Sequence, residues 1–264
     1  MLPKRTIKLI ATTFVLSVSS LARAEEINIA VAANFAAPMQ EIVAAFENTT
    51  QHRVSVSLGS SGKFYAQIRN GAPFQLFFSA DQAKPNALEH DGLIVSGSRF
   101  TYAQGALALW SANDDFVVNA SFDFTADGYK LALANPKLAP YGKAAIETLE
   151  SMGMKEISQH NWVLGENIAQ TYQFVHSQNA GLGFVAVSQI MRDGKISRGS
   201  AWLVPSDSHH PIRQDVVMLK RGENSKTTQD FLDFVRSETA QKIIQSYGYT
   251  TSSQTQILGH GQVQ

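Results

Sequence analysis

Apolar positions along the chain come in short bursts separated by polar turns, and their spacing switches between two periods. Ile27-Asn28-Ile29-Ala30-Val31-Ala32-Ala33 reads as a strand. Asn34 follows, and Pro38 then opens a pattern with Met39, Ile42, Val43 and Phe46 on one helical face. Val54-Ser55-Val56-Ser57-Leu58 alternates with period two, a second strand. Gly59-Ser60-Ser61-Gly62 leads into a short helix carrying Phe64 and Ile68. Residues 74–79 predict a third strand, followed by Asp81 and a helix over 85–90. Three successive strand–turn–helix units imply a parallel sheet covered by helices on both faces.

The middle of the chain repeats this pattern. Residues 105–110 and 131–134 read as strands. Pro140-Tyr141-Gly142 opens a helix through Ala145, Ile146, Leu149 and Met152, closed by Gly153. Trp162-Val163-Leu164 is a strand, and Gly165-Glu166-Asn167 caps a helix with Ile168, Tyr172, Phe174 and Val175. Residues 183–187 and 216–219 return to a sheet, 227–247 predict one long amphipathic helix, and the last residues form a polar tail. With no linker in the sequence, the chain is expected to cross between two lobes near 102–104 and back near 211–214. The expected organisation is a two-lobed α/β fold, each lobe a mainly parallel sheet flanked by helices, with a hinge between them. Lobe I comprises 25–103 and 213–250, lobe II comprises 104–212, and 251–264 is a flexible tail. Ligands of such sheets sit at the carboxyl ends of the strands, so strand-to-helix turns should line the cleft.

Composition changes this picture mainly at the N-terminus. Lys4, Arg5 and Lys8 precede an apolar core over 9–18, and Ala22-Arg23-Ala24 is a small-x-small cleavage site, the signature of a secretory signal peptide over 1–24. The apolar run is about half of the ~20 residues that span a bilayer. The whole chain of 264 residues balances 22 basic against 22 acidic residues. Loss of the leader removes four basic residues and no acid, so the exported protein is mildly acidic. That balance speaks against nucleic acid as a partner. The absence of cysteine excludes disulfides, thiolate metal sites and cysteine nucleophiles, and with them a lipid anchor at the cleavage site.

The candidate chemistry lies in four turns, at Asn34, Ser61, Tyr141 and Ile168. A helix N-terminus leaves up to four N–H groups unpaired and carries about half a positive charge, so it attracts an anion without any cation. Serine and asparagine at such places also serve as caps for their own helix alone. At these residues the sequence resembles the periplasmic molybdate-binding proteins of ABC transporters, over essentially the whole chain after the leader. The similar stretches are Ala30-Val31-Ala32-Ala33-Asn34-Phe35, Ser60-Ser61-Gly62, Pro140-Tyr141-Gly142 and Gly165-Glu166-Asn167-Ile168, with Phe77-Phe78-Ser79-Ala80-Asp81 and Leu182-Gly183-Phe184-Val185 at similar spacing. The resemblance implies oxyanion contacts from the Asn34 side chain and backbone, Ser61, and the backbone N–H of Tyr141 and Ile168, with Ala33 contributing through backbone only. It also implies capture of molybdate and tungstate, delivery to a permease in the inner membrane, a periplasmic location and a monomer. Many members carry a tyrosine where this chain has Ala186, and the Tyr141 hydroxyl is expected to supply that missing donor.

Other chemistries find less support. Gly181-Leu182-Gly183-Phe184-Val185-Ala186 matches a dinucleotide fingerprint but enters a strand instead of opening a helix. The histidines include no i, i+4 pair, and His209-His210 is their only cluster, so no metal ligand is assigned. Gly59-Ser60-Ser61-Gly62 lacks the spacing of a nucleophile elbow, and Glu41, Glu47 and Glu166 form no acid–base pair. The expectation is a binding protein without cofactor or catalytic residue. The alternatives are a binder of another tetrahedral oxyanion, sulfate or phosphate, and, from a different class, a periplasmic hydrolase.

Overall fold

The structure, a computed structural model, describes residues 24–119, 121–124 and 129–251; the leader up to Arg23 and the tail beyond Thr251 lie outside the described residues. The chain begins with β1 (Glu26–Ala32), α1 (Ala36–Thr49), β2 (Arg53–Gly59), α2 (Ser61–Arg69), β3 (Leu76–Phe78), α3 (Ala83–His90) and β4 (Phe100–Gly105). It continues with β5 (Leu107–Ser111), β6 (Leu131–Ala134), α4 (Pro140–Ser151), α5 (Lys155–Ser158), β7 (Trp162–Gly165), α6 (Ile168–His176), β8 (Leu182–Ala186) and α7 (Val187–Ile190). A small hairpin, β9 (Met191–Arg192) and β10 (Lys195–Ile196), precedes β11 (Ser200–Leu203), β12 (Ile212–Met218), α8 (Lys226–Val235) and α9 (Glu238–Ser246).

Two five-stranded sheets result, ordered β2-β1-β3-β12-β4 and β11-β5-β8-β6-β7. Each has a parallel half, β2-β1-β3 and β8-β6-β7, and an antiparallel half containing the strands that connect the lobes. The apolar run of β1 is explained by burial on both faces. Ile27, Ile29 and Val31 pack with Met39, Ile42 and Phe46 of α1 and Phe231 and Ile244 of the C-terminal helices. Ala30 faces the other way, toward Phe64 and Ile68 of α2 and Leu88 of α3. In the second lobe, Leu107, Leu109, Leu131 and Leu133 pack on α4, while Ala108, Trp110 and Ala132 pack toward Val175 of α6.

Three features differ from the sequence reading. The stretch 105–110 is two strands in two sheets, because Gln104 and Gly105 still pair with Arg213 and Ile212 of β12 while Leu107 pairs with Ala186 of β8. The chain therefore passes between lobes at Ala106, beyond the expected 103/104 boundary. The stretch 227–247 is two helices, α8 and α9. Their buried residues run 227, 228, 231, 232, 235 and then 240, 244, a gap that breaks the helical period, and the Ser237 hydroxyl accepts from the Ala240 N–H to start a new helix. The chain also visits the hinge a third time, where Thr250 exchanges backbone hydrogen bonds with Gln104 at 2.8 and 3.1 Å.

Candidate functional site

All four turns lie at the carboxyl ends of parallel strands: β1 runs into a 3-10 turn over Ala33–Phe35, β2 into α2, β6 toward α4 and β7 into α6. Local capping at these helices leaves one N–H of each unspent. In α2 the Ser60 hydroxyl accepts from Lys63 N, and Gly62 N donates across the cleft to Leu138 O at 2.9 Å. In α6 the Asn167 carboxamide oxygen accepts from Ala169 N and Gln170 N at 3.0 and 3.1 Å. In α4 Pro140 has no N–H to offer, and Gly142 N and Lys143 N donate to Ala139 O. Among the described residues, no backbone acceptor takes the N–H of Ser61, Tyr141 or Ile168. These residues line one small cavity of about 10 Å³ between the lobes, together with Ala32, Ala33 and Asn34.

The lining contains no charged side chain. The Ser61 hydroxyl accepts from Ala80 N at 2.9 Å, which leaves its own proton to donate. Asn34 departs from its expected part. Its Nδ2 donates to Gln214 Oε1 at 2.8 Å and to the Tyr249 hydroxyl at 2.9 Å, so both amide protons are engaged inside the protein and its backbone N–H is the donor that remains. Tyr141 is fully buried, and its hydroxyl oxygen accepts from Gln214 Nε2 at 3.3 Å. Ala186, the last residue of β8, packs in the same buried cluster as the Tyr141 ring. Burial raises the Tyr141 and Tyr102 phenols well above their ordinary range and pushes Tyr249 up to about 12, although its hydrogen bonds with Ser188, Asn34, Tyr141 and Gln214 pull Tyr249 back. All three are O–H donors at neutral pH.

Contacts across the cleft surround the cavity. Lys63 pairs with Glu166 at 2.9 Å, and Ser188 Oγ donates to Asn34 O at 2.8 Å. Arg192 grips Glu41 with both guanidinium nitrogens, at 2.9 and 3.0 Å, and Tyr247 donates to the same carboxylate at 2.6 Å. Sequence reasoning missed Gln214, Tyr249, Ser188 and Tyr102. The signal available in the sequence was the polar run Arg213-Gln214-Asp215 leading directly into the apolar Val216-Val217-Met218 of one strand.

The remaining motifs have structural explanations. Gly183 lies in β8, where a Cβ would meet Val175 Cγ2 and Ala132 Cβ at 2.7 and 2.8 Å. The ring of His210 pairs with Glu147 at 3.1 Å, and His209 Nδ1 lies 2.8 Å from the His210 carbonyl. Among the described residues, no group of three or more His, Cys, Asp and Glu is placed to hold a metal ion, and no helix is long and apolar enough to cross a membrane.

A profile described as "Bacterial extracellular solute-binding protein" matches residues 27–250, nearly all of the described chain. The chain belongs to this family. It is similar to the molybdate-binding protein ModA of Azotobacter vinelandii, 47% identical over 229 residues, which are 86% of this chain and 91% of the relative. The ModA protein of Rhodobacter capsulatus is 44% identical over 241 residues, 91% of this chain and 94% of the relative. Among solved structures, the periplasmic molybdate-binding protein of Azotobacter vinelandii superposes with a TM-score of 0.81 at 37% identity, covering 85% of this chain and 98% of that one. Members of this family bind solutes, and the chain is accordingly a binding protein and not an enzyme. Its two lobes and intervening cleft are the two-lobed α/β architecture of periplasmic binding proteins.

Proposed function

We propose that the chain captures molybdate, and tungstate with it, in the cavity formed by Asn34, Ser61, Tyr141, Ile168 and the backbone of Ala33, and delivers it in the periplasm to the permease of an ABC transporter. The observation that carries this reading is the set of unspent N–H groups at Ser61, Tyr141 and Ile168, converging on a cavity without a charged side chain. A dianion leaving water loses its hydration shell, and an ion buried without replacement partners is strongly disfavoured. Backbone N–H groups at helix N-termini, the Ser61 hydroxyl and the Tyr141 hydroxyl replace that shell with neutral donors held in place before the ligand arrives. The names and identities of the molybdate-binding relatives support the choice of anion.

Selection among tetrahedral oxyanions follows from the fixed spacing of donors supplied by two lobes. An anion of smaller radius, sulfate, cannot reach all of them at once. Hydrogen phosphate carries a proton that needs an acceptor, and the carboxylate beside the fourth turn, Glu166, is paired with Lys63. Hinge motion then couples capture to closure, since the contacts from Gly62 to Leu138, Lys63 to Glu166 and Ser188 to Asn34 all join one lobe to the other. The monomeric chain is exported under the leader 1–24. Calorimetric titration of the chain without its leader tests the reading. Molybdate and tungstate are expected to bind tightly and sulfate far more weakly. Equal affinity for sulfate and molybdate would overturn the size argument, and binding of neither would overturn the function.

A further inference from the structure

Gln214 lies within β12, has no solvent exposure, and is followed by Asp215 and the buried apolar residues Val216, Val217 and Met218. A buried amide needs partners, and those of Gln214 all come from around the cavity. Its Oε1 accepts from Asn34 Nδ2 at 2.8 Å and lies 3.0 Å from the Tyr102 hydroxyl, while its Nε2 donates to the Tyr141 hydroxyl at 3.3 Å. None of these bonds is needed for the sheet, because β12 pairs with β3 and β4 through its backbone. A phenol has one proton, and once its oxygen accepts from an amide that proton must be given elsewhere. The neighbouring Tyr249 oxygen receives Asn34 Nδ2 and is also a hydrogen-bond acceptor for the Tyr141 hydroxyl, while the Tyr249 proton is directed to Asn34 O or Ser188 Oγ, each at 2.9 Å.

We infer that Gln214 is the positioning residue of the oxyanion site: its amide donates to the Tyr141 oxygen, so that the phenol proton is left to pass from Tyr249 to an anion in the cavity, and the same amide holds the Asn34 turn in place. The inference rests on the oxyanion reading of the cavity. It assigns selectivity to a side chain that is absent from the cavity lining. Gly105 gives a second, independent sign of the pairing. A Cβ at that position would collide with the Tyr141 hydroxyl and come within 2.8 Å of Gln214 Nε2, so the two groups meet over bare backbone at the lobe crossing.

A double-mutant cycle tests this. Gln214→Met keeps the length and apolar bulk of the side chain and removes its donor and acceptor. It is expected to weaken oxyanion binding about tenfold, the scale of one hydrogen bond to a charged group. Tyr141→Phe is expected to do the same, and Gln214→Met is expected to cost clearly less in the Tyr141→Phe background than alone, the remainder being its hold on Asn34. Equal losses from Gln214→Met in both backgrounds would mean a merely structural role and would overturn the inference. Should Gln214→Met fail to fold, Gln214→Glu preserves the shape. As a carboxylate it only accepts, so it draws the Tyr141 proton away from the cavity, and its affinity is expected to fall as pH rises from about 5.5 to 8.5 while the parent stays flat. A Gln214→Glu protein with parental affinity across that range would also overturn it. The cycle is run with whichever of molybdate, tungstate, sulfate and phosphate the parent binds. A parent that ignores molybdate but binds another of these anions therefore overturns the choice of ligand and leaves the coupling measurable.

Discussion

In the proposed site Ser61 combines two tasks in one hydroxyl, and their separation is how a neutral residue would serve an anion. The oxygen is held by the Ala80 N–H at 2.9 Å, which turns the proton away from that contact and makes it available to a ligand. Ser61→Ala removes the donor and leaves Ala80 N without its acceptor. Affinity for molybdate is expected to fall by about 10- to 150-fold, the equivalent of about 1.5–3 kcal/mol for a hydrogen bond to a charged group, and calorimetry of the variant checks it. Parental affinity in that variant would reduce Ser61 to a structural residue. At this scale the turn residues were legible, because Asn34, Ser61, Tyr141 and Ile168 each sit between an apolar burst and a helical period. Their hydrogen-bond directions were not. Whether the Asn34 amide faces a ligand or the protein is decided by Gln214 and Tyr249, 180 and 215 residues away in the chain, and no local pattern encodes that.

Helix termini carry the proposed function at the next scale. In α2, α4 and α6 the caps at Ser60, Ala139 and Asn167 take the N–H groups one or two places further into the helix, so the first free one is aimed into the cavity. The cap reading and the anion reading of these turns, which compete in the sequence, do not exclude each other, because the caps leave free the N–H groups that the proposed site uses. The C-terminal helices show where periodicity fails. The polar stretch around Arg236-Ser237 looks like the solvent face of one long helix until the spacing between Val235 and Ala240 is counted. Ser237→Ala removes the cap of α9 and is expected to lower unfolding free energy by about 1 kcal/mol in a denaturant titration, without altering ligand affinity. An unchanged midpoint would mean that packing of Ala240 and Ile244 alone fixes the break.

The molecule as a whole is two lobes tied at three passages of the chain, Ala106, the segment entering β12 and the Thr250–Gln104 bridge, and Ala32, Ala33 and Ala80 of the first lobe pack into the core of the second. The two lobes were legible from repeating strand–turn–helix units, whereas the first passage, expected near 102–104, lies at Ala106. The third passage was not legible, because nothing local marks a polar C-terminal segment as a strand partner. Buried phenols gather at this junction. Tyr249 is held near 12, above the ordinary phenol value of 10.0, chiefly because burial penalises the charged form. The folded state therefore keeps its full advantage below pH 10 and loses it as pH climbs toward 12, when the unfolded chain ionises first. An absorbance titration of the seven tyrosines should show Tyr102, Tyr141 and Tyr249 ionising only together with unfolding. Early ionisation of all seven in the native protein would contradict the packing of the junction. The central claim, that a shut cage of neutral donors holds a tetrahedral oxyanion, is tested most directly by anomalous diffraction from crystals of the molybdate-loaded protein. The expected result is one molybdenum peak in the cavity, its oxygens within hydrogen-bonding distance of the N–H groups of Asn34, Ser61, Tyr141 and Ile168 and of the hydroxyls of Ser61 and Tyr141. A peak elsewhere in the molecule, or one at the expected place coordinated by a carboxylate or a lysine, would contradict it.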